Sequence, residues 1–220
     1  SIYGVPESEV TKEQRFVGKT TILGCGYGMG SYRFQDQLAT FGVDISIEES
    51  RRIVKVYRET NDKIVDLWQK AQNMLVDLVN KDKGRYGTNG IIKYKDNGIL
   101  LPSGIMMQYE DIKSKQEERG LQFDYKSRRG RTKIYGGKVI ENVCQAFARC
   151  IIAEQMLKIN KKHRVVLTVH DSLVCCVLDD EVTEAKHFIE KCMRETPEWA
   201  EGLPLDCEAF TGKSYGDCEE

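Results

Sequence analysis

The chain has 220 residues, 40% of them hydrophobic and 30% charged, with a formal net charge of −1. This composition is that of a soluble globular protein. No run of about 18 apolar residues or basic-then-apolar leader occurs, so neither a membrane span nor secretion is indicated. The net charge argues neither for nor against nucleic acid, so local patches must carry that argument. The eight cysteines contain no C-x-x-C pair, which argues against zinc and for a reduced, cytoplasmic setting.

Thr11-Lys12-Glu13-Gln14 has the form of a capping box and predicts a helix start. Beyond it, Arg15, Lys19, Leu23 and Tyr27 recur every fourth residue and so share one helical face. Two cations one turn apart suit a polyphosphate, and a ring beyond them suits a base or sugar. A solvated amphipathic helix is the bland alternative. It gives no reason for Gly18, Gly24, Gly26, Gly28 and Gly30, because each mid-helix glycine costs on the order of 1 kcal/mol relative to Ala. Close approach of a ligand or another backbone would account for them. Their G-x-G-x-G-x-G order is not the dinucleotide fingerprint, and no strand pattern precedes it.

Residues 40–43 form a turn containing Gly42, and Ser46-Ile47-Glu48-Glu49 is a second capping box. Ile53, Tyr57, Ile64, Leu67, Trp68, Ala71, Leu75 and Leu78 then carry a helical pattern to about Val79, with a break near Asn61. Asp44 to Glu48 is one residue short of a D-x-S-x-x-E carboxylate motif and reads as a helix cap. Residues 83–135 are rich in turns and charge. Short strands at 91–94 and 99–101 flank Asp96-Asn97-Gly98, a hairpin signal, and Leu101-Pro102-Ser103-Gly104 leads into another strand. Residues 125–138 hold six cations (Lys126, Arg128, Arg129, Arg131, Lys133, Lys138) and no acid, with Tyr125 and Tyr135 among them. Such a run is either a solvated loop or a phosphate-backbone track beside stacked bases.

A helix opens near Tyr135. Val139, Val143, Phe147 and Ile151, with Ile140, Cys144, Ala148 and Ile152, form its apolar stripe, and Asn142, Gln145 and Arg149 lie on the polar side. In 164–178 two β-branched runs flank His170-Asp171-Ser172, which predicts two strands joined by a tight turn. The tail is helical to about Glu195, with Val182, Ala185, Phe188, Ile189, Cys192 and Met193 inward.

Three of these stretches resemble, in the same order, segments of the family A DNA polymerases, the bacterial DNA polymerase I group. The family's nucleotide helix reads Arg, three residues, Lys, three residues, aromatic, Gly, two residues, Tyr-Gly. Arg15, Lys19, Gly24, Tyr27 and Gly28 match it, and Leu23 replaces the aromatic residue beside the incoming sugar. The segment from Tyr135 to Arg149 is similar to the helix preceding the catalytic carboxylate, with Gln145 where a glutamine touches template and primer in the minor groove. Val169-His170-Asp171 matches the hairpin motif Val-His-Asp-Glu, with Ser172 in place of Glu. The YGGK and LPSG wording is phage-like.

The resemblance implies template-directed DNA synthesis from dNTP on primer-template DNA with two magnesium ions (Mg2+). It implies Arg15, Lys19, Asp171 and His170 as catalytic residues, with Asp171 a metal ligand and His170 near the primer end. Arg15, Lys19, Leu23 and Tyr27 would bind the nucleotide, and Gln145, Arg149, His170, Arg128 and Arg131 the DNA. The expected fold is α+β: a helical, fingers-like region with small hairpins over 1–134, then a palm portion over 135–220 with an antiparallel β-hairpin packed on helices. The family's second carboxylate set comes upstream of the nucleotide helix, so activity is expected to need the N-terminal polymerase portion as a partner. No membrane contact is expected, and the location is cytoplasmic, the host cytoplasm if viral. The rival expectations are a non-catalytic DNA- or nucleotide-binding fragment and a structural module with accidental matches.

Overall fold

The computed structural model describes residues 2–87, 90–118 and 120–218. The chain divides into two compact units: Ser1–Gly84 with Tyr94–Ile99 and Met107–Val143, and Arg85–Lys93 with Leu100–Met106 and Cys144–Glu220. A run of helices is followed by a run of short strands, then by a helix, a β-hairpin and a helix, the segregated order of an α+β fold.

The first unit begins with four helices: α1 (Lys12–Cys25), α2 (Ser31–Thr40), α3 (Ile47–Thr60) and α4 (Asp62–Asn80). The predicted capping box starts α1. The Thr11 hydroxyl accepts from the Gln14 N–H at 3.2 Å, and Gln14 Oε1 accepts from the Thr11 N–H at 3.0 Å. Ser46 caps α3 through the Glu49 N–H alone, at 3.1 Å. The break at Asn61 separates α3 from α4. There the Asn61 amide donates to the Tyr57 carbonyl at 2.9 Å, a local bond that competes with helix continuation. Val17, Cys25, Phe34, Leu38, Ile53, Val54 and Tyr57 form one buried cluster from α1, α2 and α3.

The turn- and charge-rich middle is more ordered than its sequence suggests. Strands β1 (Gly84–Tyr86), β2 (Ile92–Lys95), β3 (Gly98–Leu100) and β4 (Met106–Gln108) form a four-stranded sheet in that order. The β2–β3 turn has Asp96 at φ +54°, in keeping with the Asp-Asn-Gly signal. Strands β5 (Lys113–Glu117), β6 (Gly120–Ser127) and β7 (Gly130–Ile134) form an antiparallel meander. Most of the 125–138 cation run is therefore a β-hairpin, not a loop. Phe123 and Ile134 pair across it and are buried, so few apolar residues orient the sheet and the alternation signal is faint.

In the second unit, the later part of α5 (Gly136–Ile159) precedes the hairpin β8 (Val165–Val169) and β9 (Ser172–Cys175), then α6 (Val182–Arg194). Gln155 of α5 donates to the Met193 carbonyl at 2.6 Å, and Lys158 pairs with Glu195 at 2.7 Å. The Val165 N–H donates to Asn160 Oδ1 at 3.1 Å, fixing the entry into β8. Val139, Ile140, Val143 and Cys150 of the predicted α5 stripe are buried, whereas Cys144 and Ala148 are exposed. The stripe is thus narrower than its composition suggests.

Phe34 is fully buried at the centre of the helical cluster. Phe34→Ala is expected to lower the unfolding free energy by about 3–5 kcal/mol, read from urea denaturation.

Candidate active site

One side of α1 is committed to the core through Val17, Thr20, Thr21, Gly24 and Cys25. The opposite side holds Arg15, Lys19 and Leu23, all exposed, with Leu23 at 60%. Neither cation has an acidic partner among the described residues. Two unneutralised cations with an exposed leucine one turn beyond them make a surface able to receive an anion with an apolar body behind it.

Tyr27 corrects the sequence reading of one continuous face. The helix ends at Cys25, and Tyr27 stands in the following turn. That turn needs Gly28, whose φ is +85°. Tyr27 lies close enough to Tyr57 to help raise its hydroxyl pKa, after burial and Cys25. Cys25 itself is pushed up to about 11 by burial, so it is a packing residue and not a nucleophile. The glycines also divide. A Cβ on Gly18 or Gly30 would meet open space, whereas one on Gly24 would stand 2.9 Å from the Met29 sulfur. Close approach explains some of them and not others.

In the second unit, Val169 pairs with Ser172, leaving His170 and Asp171 as a two-residue loop. His170 has φ +54°, a conformation costing an L-residue roughly 1–2 kcal/mol. His170, Asp171 and Ser172 are exposed. The Asp171 carboxylate has no ion-pair partner among the described residues. It is one hard oxygen donor of the kind Mg2+ takes together with substrate phosphates. No group of three His, Cys, Asp or Glu suited to a metal occurs among the described residues. Gln145 and Arg149, one turn apart on α5, are both exposed.

Two cations of the hairpin, Lys126 and Arg131, are neutralised by acids that precede or share its strands. Arg131 donates to the Asp124 carboxylate and, at 2.8 Å, to Asp111. Lys126 pairs with Glu110 at 2.9 Å. Arg128 and Arg129, at the β6–β7 turn, are exposed and have no ion pair among the described residues. Asn142, taken from sequence as a surface residue, donates to the buried Tyr109 hydroxyl at 3.2 Å. Burial pushes that hydroxyl up to about 12.

In the sequence Trp68 reads only as part of an apolar stripe, and Gln72 and Arg58 carry no signal of a role on their own. All three line a cleft of about 530 Å³ in the first unit, beside Gly28 and Tyr135. The available signal was Trp68 and Gln72 at i, i+4 in a helix, with Gly136-Gly137 later in the chain.

The fold is that of part of a DNA polymerase domain. Over 99% of its length the chain superposes, with a TM-score of 0.67 and 19% identity, on the POL domain of Pol1 from M. smegmatis, in complex with DNA primer-template and dNTP. It covers 33% of that chain. In sequence it is similar to the DNA polymerase of Bacillus phage SP02, 30% identical over 230 residues, and to that of Bacillus phage SP01, 21% identical over 224. These matches take in 97% and 99% of this chain but 35% and 22% of the relatives, so the chain spans about a third or less of their length. No family model matches the sequence.

Lys113 first, then Arg131, holds the Asp111 carboxyl below its ordinary value. A lowered folded pKa contributes stability above the unfolded value of about 3.9 that is lost as pH falls through the folded one. The difference in Tm between wild type and Asp111→Asn is therefore expected to be largest near neutrality and to close below about pH 4. Thermal scans across pH check this.

Proposed function

We propose that this chain supplies the nucleotide grip and one metal-binding carboxylate of a template-directed DNA polymerase. The observation that carries the reading is the open face of α1. It presents Arg15, Lys19 and Leu23 at four-residue spacing with no acid on either cation among the described residues, in a chain similar over 97% of its length to a phage DNA polymerase.

In nucleotidyl transfer the primer 3′-hydroxyl attacks the α-phosphorus of dNTP, and pyrophosphate leaves. Charge on the phosphate oxygens must be neutralised in the transition state. Arg15 and Lys19 clamp the triphosphate, with charge-assisted hydrogen bonds to its oxygens. Leu23 and Tyr27 border the sugar and base. Leu23 gives the sugar only an apolar contact. Asp171 and a second ligand set from sequence outside these residues would hold two magnesium ions. When bound there, the ions would supply activation of the hydroxyl and stabilisation of the leaving group. His170 lies by the primer end, and Gln145 and Arg149 contact the DNA. Arg128 tracks the phosphate backbone, while Arg131 contributes mainly by holding the strands that carry it. In this reading 1–134 is fingers-like, 135–220 is a palm portion, and the work is done in the cytoplasm, that of a host if the source is a phage.

Ser172 and Leu23 favour a second reading, a non-catalytic DNA- or nucleotide-binding role. With Ser172 beside it, the hairpin tip carries one carboxylate, Asp171.

In the complete polymerase, Lys19→Ala is expected to lower kcat/KM for dNTP by roughly 10–100-fold, the scale of one charged hydrogen bond. Asp171→Asn should reduce incorporation at least as much and weaken magnesium-dependent dNTP binding. Wild-type incorporation rates in either variant would refute the assigned role. Nucleotide binding indifferent to magnesium would favour the non-catalytic reading.

A further inference from the structure

Trp68 and Gln72 stand one turn apart on α4, and each spends its polar group on the backbone of a different segment. The Trp68 indole N–H donates to the Gly26 carbonyl at 3.0 Å. Gln72 Oε1 accepts from the Gly136 N–H at 2.7 Å. Arg58 adds a third tie, donating to the Met29 carbonyl at 3.4 Å. The turn after α1 is thus held at both ends, at Gly26 and at Met29, with Tyr27 between.

Two glycines allow the first residues of α5 to close on this turn. A Cβ on Gly136 would lie 1.9 Å from the Trp68 carbonyl oxygen, and one on Gly137 would lie 2.4 Å from the Tyr27 carbonyl oxygen. Both contacts are with backbone, so no larger residue fits without moving a chain segment. Apolar packing alone would not need these bonds, since side chains without polar atoms could fill most of the space.

We propose that Trp68 and Gln72 are positioning residues for the nucleotide site. They fix the turn bearing Tyr27, and with it the base and sugar end of the pocket, while the triphosphate end depends on α1 itself. The inference rests on the reading of α1 as a nucleotide-gripping helix. Lys19 lies about 10 Å from Gly26 along the helix axis, so the two ends of a bound nucleotide respond separately.

The test measures binding of dATP and of inorganic tripolyphosphate to the complete polymerase, with magnesium, for wild type, Trp68→Phe, Gln72→Leu, Gln72→Glu and Lys19→Ala. Trp68→Phe and Gln72→Leu should each weaken dATP about five-fold, the scale of one lost hydrogen bond, and leave tripolyphosphate unchanged. Gln72→Glu keeps the acceptor for Gly136 and should restore dATP affinity. Lys19→Ala should weaken both ligands. If the α4 variants weaken both ligands equally, or neither, while Lys19→Ala weakens both, the positioning role is overturned and the nucleotide reading stands. If wild type binds neither ligand, or Lys19→Ala alters neither, the nucleotide reading fails and the inference falls with it.

Discussion

The burial of one side of α1 is the constraint on which the candidate nucleotide site depends. Val17, Thr21 and Cys25 are sealed with Phe34, Leu38 and Ile53 of the neighbouring helices. Rotating the helix to hide Leu23 would expose that face and bring Arg15 and Lys19 towards a core holding no acid to meet them. Desolvating an unpaired cation costs far more than exposing one leucine. The apolar cluster therefore keeps the cations outward, and their reach into solvent follows from packing elsewhere on the same helix.

The end of α1 follows a different rule. Beyond Gly26 the i→i−4 ladder gives way to turn bonds from the Tyr27, Gly28 and Met29 N–H groups, and side chains from α3 and α4 hold the Met29 and Gly26 carbonyls. Backbone-to-backbone approach at Gly136 and Gly137 makes the arrangement intolerant of a single added carbon. A turn so constrained has little conformational freedom left to lose when a ligand arrives, which is the physical content of preorganisation.

Elsewhere, local cost and local neutralisation mark opposite kinds of residue. His170 keeps a left-handed backbone at the tip of an exposed two-residue loop. Glycine would relieve that strain, and strain of this kind concentrates at functional positions. Arg131, by contrast, is satisfied by Asp111 and Asp124, so its charge serves the meander first. Position in a basic run is thus a poor guide to which cation is available to a phosphate. Arg128, at the turn, remains without an ion pair among the described residues.

Much of this was legible in the amino-acid order. Helix starts at Thr11 and Ser46, the break at Asn61, the Asp-Asn-Gly hairpin and the two-residue turn at His170 are set by short-range chemistry, because capping and turn formation act over a few neighbouring residues. That Arg15, Lys19 and Leu23 share one face follows from helical periodicity, whereas burial of Val17, Thr21 and Cys25 turns that face outward. What the order could not specify were partners chosen by packing: the burial of Phe123 with Ile134, the acids that neutralise Arg131, and the tie from Trp68 to Gly26. Each depends on which backbone approaches which, and that is decided by tertiary packing, where a buried partner outweighs the local preference of either residue.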